Sequence, residues 1–174
     1  MNIQYEEKMV ELIRAFSLPK YEEIPNVGLY LEQTSKFVNE CFEAIPNFEI
    51  TNSMISNYVK KGLIPRSIKK CYYRDQIAYL IFITLAKSVL SMDNIQVLIS
   101  IQKSSYDAKT AYEYIRKELR NMIEYVFGFE SEIKLIGESE SDEKVMCRNT
   151  IIAVAYKMYL ELSCEALKSK VMKG

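Results

Sequence analysis

Apolar residues recur at steps of three and four along almost the whole chain, which is the spacing of amphipathic helices. The first helix is predicted over 3–16, and the second over about 30–45, where Pro46 prevents its continuation. Further helices are predicted over 52–61, 75–89, 92–102, 107–128 and 143–170. Residues 63–73 alternate loosely and include β-branched and aromatic side chains, which favours a small two-stranded hairpin at most. The pattern therefore predicts a mainly α protein.

The short helix over 52–61 has sequence signals for both of its ends. Thr51 can accept hydrogen bonds from backbone amides of the first turn, and Gly62 can adopt the left-handed conformation that closes a helix. Its apolar positions, spaced for one face, are Met54, Ile55, Tyr58 and Val59. The opposite face contains no acid and carries Asn52, Ser53, Ser56, Asn57 and Lys60. Together with the preceding helix over 30–45, it makes a helix-turn-helix candidate.

Charge is sorted along the chain, although 23 basic and 23 acidic residues cancel in the total. Residues 1–50 carry nine acids and four bases, whereas residues 51–110 carry nine bases and three acids. The densest part is residues 56–75, with six basic side chains and no acid before Asp75. Such asymmetry is typical of a protein with an anionic partner, although a solvated basic turn would give the same cluster.

Duplex DNA would fit both the uncharged helix face and the basic cluster. In the major groove an asparagine side chain can read adenine, and a lysine can reach guanine or phosphate. Basic side chains beside the helix can neutralise phosphates and release counterions, a term that dominates non-specific affinity. The predicted DNA-contacting residues are Asn52, Ser53, Ser56, Asn57, Lys60, Lys61, Arg66, Lys69, Lys70 and Arg74. The residues expected to hold phosphates from a short β wing are Arg66, Lys69, Lys70 and Arg74.

The order of residues over 57–99 resembles the winged helix of the mercury-resistance-regulator (MerR) family of bacterial transcription factors. The residues that carry the resemblance are Tyr58, Gly62, Leu63, Ile64, Pro65, Lys70, Tyr72, Asp75, Leu80, Ser91, Asp93 and Ile95. Residues 18–33 together with 50–99 look closer still to an uncharacterised bacterial domain family built on the same winged helix. The resemblance implies a helix-turn-helix with a short β wing that binds DNA and regulates transcription.

The chain departs from the MerR pattern in several places. Ser56 stands where MerR-type proteins usually carry an arginine, and the loop over 62–72 is shorter than theirs. The cysteine ligands of the metal-sensing members are absent, so metal sensing is not implied. The first two differences remove contacts to the DNA backbone. They leave an alternative function open, a non-enzymatic adaptor whose winged helix binds another protein and no longer binds DNA.

Few residues of the sequence suit catalysis or cofactor binding. The chain has no histidine, the most frequent general base, and its four cysteines are widely scattered. The glycine motifs that bind nucleotide phosphates are absent. The longest apolar run, 77–86, is too short to span a bilayer, and the N-terminus lacks a signal-peptide pattern. The sequence therefore predicts a cytoplasmic, non-enzymatic protein without a metal, cofactor or membrane partner.

Two regions are predicted, 1–103 with the N-terminal helix and the winged helix-turn-helix, and 104–174 with the two long helices. The apolar stripes of these long helices are wider than one partner helix can cover, which favours a homodimer and a palindromic DNA site. An apolar, tyrosine-lined cavity between the helices over 107–128 and 143–170 could hold a hydrophobic small-molecule effector, as is common among such regulators. Double-stranded DNA, a second copy and this effector are the predicted partners.

Overall fold

Seven α-helices and one two-stranded sheet make up the residues that the computed structural model describes, which are 3–136 and 141–171. The helices are α1 (Ile3–Ala15), α2 (Leu31–Glu40), α3 (Asn52–Lys60), α4 (Arg74–Ala86), α5 (Met92–Ser105), α6 (Ala108–Val126) and α7 (Asp142–Val171). The strands are β1 (Leu29–Tyr30) and β2 (Cys71–Tyr72), and a single 3₁₀ turn covers Tyr21–Glu23. The predicted mainly α class, with two long C-terminal helices, is confirmed. The outer ends of the two predicted regions, residues 1–2 and 172–174, lie outside the described residues.

Helix α2 is shorter than the helix predicted over 30–45. It ends at Glu40, and the chain continues through tight turns in which the amide of Ile45 donates to the carbonyl of Phe42 at 2.8 Å. Both of these side chains are buried. The helical spacing of apolar residues therefore extends past Glu40 into turns that are not part of α2. Asn39 then closes the loop by exchanging two hydrogen bonds with the backbone of Ile50, at 2.8 and 3.0 Å.

The sheet differs from the local hairpin predicted over 63–73. Strand β2 pairs antiparallel with β1, which lies more than 40 residues earlier, with Leu29 opposite Tyr72 and Tyr30 opposite Cys71. Within the predicted hairpin, the described pairing is a single bridge between Ile68 and Cys71. The first half of that segment is used differently, because Leu63 and nearby residues are buried in the core instead of forming a strand.

Helix α4 lies at the centre of the core and is buried on nearly all sides. Ten of its residues are buried, and helices α2, α6 and α7 all contact it. A helix that is apolar around its circumference is expected in such a place. None of the helices among the described residues has the length and apolar content that crossing a bilayer requires.

The two long helices α6 and α7 pack along each other, and α1 contacts α7. Their facing sides contribute to one continuous apolar core, to which Leu119 of α6 and Met158 of α7 belong. A polar link lies within this helix pair, where Arg148 Nε donates to Glu118 Oε1 at 3.2 Å. The Glu118 side chain has no exposed surface, so the two helices share a buried ion pair.

Candidate functional site

Helix α3 has the ends that its sequence predicts. Thr51 Oγ1 accepts a hydrogen bond from the amide of Met54 at 3.2 Å, which caps the first turn. At the other end Gly62 has φ +75°, and the amide of Leu63 donates to the carbonyl of Tyr58 at 3.0 Å. This is the hydrogen-bond pattern by which a left-handed residue closes a helix. The length of α3 is therefore fixed by residues within and next to it.

The outer face of α3 is exposed along most of its length. The exposed side chains are those of Ser53, Ser56, Asn57 and Lys60. Asn52 is less available, because its Oδ1 atom accepts a hydrogen bond from Ser35 Oγ of α2 at 2.6 Å. Ile55 on the opposite side is fully buried, so α3 cannot rotate without exposing its apolar face. The helix thus presents neutral and basic side chains to solvent, with no acid among them.

A tight hairpin turn lies between α3 and α4, with Lys69 and Lys70 as its two central residues. We call residues 68–71 the basic turn. The backbones of Ile68 and Cys71 exchange two hydrogen bonds of 2.9 Å across it. Lys69 and Lys70 have φ values of 50° and 66°, the left-handed conformation that this kind of tight hairpin turn requires at both central positions. Both lysine side chains are exposed. The turn therefore projects two positive charges away from the sheet.

The base of the basic turn is tied to α4 by one buried side chain. Gln76 Nε2 donates to the carbonyls of Pro65 and Arg66, at 3.2 and 3.0 Å. Its Oε1 atom accepts from the amide of Tyr73 at 2.8 Å, at the start of α4. The amide group of Gln76 thus fixes the chain on both sides of the turn.

A close backbone approach holds the other side of the basic turn. Gly28 has φ +81°, and a Cβ atom at this position would lie 3.1 Å from Cys71 Cβ and 3.2 Å from the ring of Tyr73. A side chain at residue 28 would therefore strain the backbone and push β1 away from β2. This glycine allows the strand pair to form directly before α2.

Helix α2 places α3 and the basic turn at the same end. Tyr30, the residue before α2, pairs with Cys71, the last residue of the basic turn. Ser35, which contacts Asn52 at the start of α3, lies five residues further on, or about 7 Å along the helix axis. The first turn of α3 and the basic turn therefore both lie against the N-terminal half of α2 or the residue before it.

The cations of this region are not neutralised by acids. In the described part of the chain, no ion pair includes Lys60, Lys61, Arg66, Lys69 or Lys70. All five of these side chains are exposed. An exposed carboxylate, that of Glu32, lies nearby in the first turn of α2. The local surface is therefore basic, although Glu32 would weaken its attraction for an anion.

Arg74, predicted to hold phosphate, has internal partners. Its Nε atom donates to the carbonyl of Ile24 at 2.8 Å, and its Nη2 atom donates to the carbonyl of Glu22 at 3.0 Å. The guanidinium carbon also lies 5.4 Å from the centre of the Tyr21 ring. Asp75 accepts a hydrogen bond from the Tyr21 hydroxyl. Arg74 thus joins the segment before β1 to the start of α4.

Sequence reasoning missed Tyr30 as a member of this surface. Its side chain is 60% exposed, and it lies on β1 opposite Cys71. No local signal marks it, because its place depends on pairing with a strand more than 40 residues away.

An apolar cavity of about 380 Å³ is a separate candidate site. The prediction placed such a cavity between the two long helices. Helices α6 and α7 do contribute to its walls, and α4 and α5 form the rest. The cavity therefore adjoins the central helix that also carries Gln76.

A family model described as a domain of unknown function, DUF1836, matches residues 19–115. The match covers more than half of the chain. The chain belongs to the DUF1836 family. The DUF1836 region contains α2, α3, the basic turn, α4 and α5, and it ends within α6. Helix α7 lies beyond it. No curated protein and no solved structure gives a significant match to the chain.

Proposed function

We propose that this DUF1836 protein is a cytoplasmic DNA-binding transcriptional regulator, in which α3 is the recognition helix and the basic turn is a MerR-like wing. The main support is that the acid-free face of α3 and the basic turn lie at the same end of α2. With its side chains an α-helix is about 10–12 Å across, and the major groove is about 12 Å wide. A helix of this size can lie in the groove while the turn reaches the adjacent backbone.

The predicted contacts fall into three groups, which would contact base edges, contact phosphates or hold the surface in shape. The residues assigned to base edges are Ser53, Ser56, Asn57 and Lys60. The residues assigned to phosphates are Lys61, Arg66, Lys69 and Lys70. The side chains of Asn52 and Arg74 have partners outside their own helices, so we assign them the role of holding the surface in shape. Ser56 Oγ donates only within α3, to the carbonyl of Asn52 at 2.9 Å.

Duplex DNA of random sequence should bind the full chain with a strong salt dependence. Four phosphate contacts, each worth about −0.9, give an expected slope of roughly −4 for log K against log salt concentration. Fluorescence anisotropy titrations at salt concentrations from 50 to 200 mM would measure this slope. Equal affinity for single-stranded DNA would contradict a groove-binding helix. Absence of binding at low salt would contradict the proposal and favour the adaptor function.

The outer side of α7 supports a dimer as part of this proposal. Exposed apolar side chains recur every seven residues, at Met146, Ala153, Leu160 and Leu167. The opposite side, which includes Met158, is buried in the core. A seven-residue repeat is the spacing by which one helix packs along another. A second copy of α7 would cover this stripe and set two recognition helices on one palindromic site.

Replacing Leu160 with glutamate is expected to weaken the dimer by at least about tenfold, because each copy would bring a charge into the apolar contact. Sedimentation equilibrium should show the mass shift from twice 20.3 kDa towards 20.3 kDa. The matched control is Leu135→Glu, at an exposed apolar residue outside α7. A wild-type chain that sediments as a monomer at high concentration would contradict the dimer.

A further inference from the structure

The geometry points to the cavity between α4, α5, α6 and the start of α7 as the binding site for a neutral, largely apolar small molecule. It also points to α4 as the element that couples occupancy to the basic turn. The second part rests on the proposed DNA-binding function for its biological meaning. The first part does not, because it concerns a cavity whose walls include no residue of α3.

The size and the walls of the cavity suit a small organic molecule. Small-molecule sites are clefts of roughly 300–1,000 Å³ lined mainly by apolar and aromatic side chains. This cavity has a volume of about 380 Å³, and its walls include Phe82, Leu98, Ile99 and Ile115. Phe82 and Ile99 are also members of the core, so much of the wall is rigid.

Three polar side chains in the wall, those of Tyr79, Gln102 and Tyr114, already have partners. Tyr79 Oη donates to Gln102 Oε1 at 2.8 Å, and Gln102 Nε2 donates to the carbonyl of Tyr106 at 2.7 Å. Tyr114 Oη donates to Glu118 Oε1 at 2.9 Å. No buried side-chain nitrogen or oxygen among the described residues lacks a hydrogen-bond partner. An anionic ligand would therefore lose its water in the cavity without gaining a counter-charge from these groups.

Anionic ligands meet a further obstacle. Burial raises the pKa of the Cys147 thiol to about 12, so this wall residue stays protonated and uncharged at neutral pH. The first turn of α7 contributes two carboxylates, those of Asp142 and Glu143, and one lysine, Lys144, so this part of the wall has a net negative charge. A hydrogen bond from Ser141 lowers the pKa of Glu143, which keeps it ionised. Fatty alcohols or neutral aromatic compounds should thus bind better than carboxylates of the same length.

Helix α4 connects the cavity with the basic turn over a single helical turn. Tyr79 and Phe82 of α4 line the cavity. Gln76, three residues before Tyr79, holds the carbonyls of Pro65 and Arg66 at the base of the basic turn. A ligand that packs against Tyr79 restrains α4, and through Gln76 it restrains the turn. Any effect of the ligand on DNA affinity must be matched by an equal effect of DNA on ligand affinity.

Binding can be tested on the full chain without DNA by titration with N-phenyl-1-naphthylamine, a neutral apolar fluorescent probe. We expect saturable binding, with decanol displacing the probe at concentrations at least tenfold lower than decanoate. Ala111→Leu, which fills the cavity, should weaken probe binding at least tenfold. The matched control Ala15→Leu, on the exposed side of α1, should leave it unchanged. If the circular dichroism spectrum shows that Ala111→Leu does not fold, probe binding is measured instead with Ala108→Leu, at another residue that lines the cavity.

Three results would overturn the ligand site. They are wild-type affinity in the folded cavity-filling variant, equal displacement by decanoate and decanol, and the absence of probe binding. Probe bound to the stripe of α7 at Ala153, Leu160 and Leu167 would be recognised by the first of these, because those residues do not line the cavity that Ala111→Leu fills.

Hydrogen exchange tests the coupling through α4, again without DNA. Saturating probe should slow amide exchange over 66–72 at least threefold in the wild type, and Gln76→Ala should abolish this slowing while probe still binds. The control Asn94→Ala, at an exposed residue of α5, should retain it. Unchanged exchange in the wild type with bound probe would overturn the coupling. Neither experiment depends on DNA, so failure of the DNA-binding function would leave both results interpretable.

Discussion

Reversing both lysines of the basic turn, Lys69→Glu with Lys70→Glu, is expected to lower affinity for duplex DNA about a hundredfold at 0.1 M salt. Each phosphate contact contributes about 0.9 to the salt slope, so two lost contacts remove roughly two powers of ten at this salt concentration. The slope itself should flatten by about two. The fold should be retained, because both side chains are exposed and glutamate meets the same left-handed backbone that lysine does. Anisotropy titrations over a salt series measure both quantities.

A control with the same change of net charge separates local contact from overall charge. Lys117→Glu with Lys168→Glu reverses two exposed lysines on α6 and α7, outside the proposed interface. We expect only a small loss of affinity from this pair, since charges beyond about 10 Å are largely screened at 0.1 M salt. An equal loss of affinity in both double variants would show that the basic turn does not contact DNA. An unchanged salt slope in Lys69→Glu with Lys70→Glu would show the same.

The outline of α3 could be predicted because its determinants lie within about a dozen residues. Thr51 and Gly62 act on the helix ends directly beside them, and both have the predicted conformations. The end of α2 was predicted less well, since Phe42 and Ile45 are buried whether the backbone is helical or turned. Apolar periodicity indicates which side chains face the core, and it does so also in turns that follow a helix.

Contacts between distant parts of the chain could not be read from the sequence. The partner of β2 is β1, and nothing within 63–73 indicates it. Arg74 is of a residue type that often binds phosphate, and other basic residues lie near it in the sequence. Its guanidinium nevertheless donates to the carbonyls of Ile24 and Glu22. The cavity is a similar case, because its α4 and α5 walls are defined only when four helices pack together. Residue type indicates what a side chain can bind, and the fold decides which partner it meets first.

Replacing Arg148 with methionine is expected to lower the free energy of unfolding by about 3–5 kcal/mol, the usual cost of leaving a buried charge without its partner. Glu118 has no exposed surface, so its carboxylate would lose the guanidinium without gaining water. The Tyr114 hydroxyl and the Asn121 amide would still donate to it, at 2.9 and 3.4 Å, but both are neutral. Urea unfolding followed by circular dichroism measures the loss.

A double variant separates the charge of Glu118 from the packing of Arg148. Glu118→Gln with Arg148→Met removes both charges and keeps an oxygen that accepts from Tyr114, so it should recover about 2 kcal/mol relative to the single variant. Lys36→Met, which removes an exposed ion pair of 3.9 Å with Glu40, should leave stability unchanged. A double variant no more stable than Arg148→Met would mean that lost packing, not an unpaired carboxylate, explains the defect.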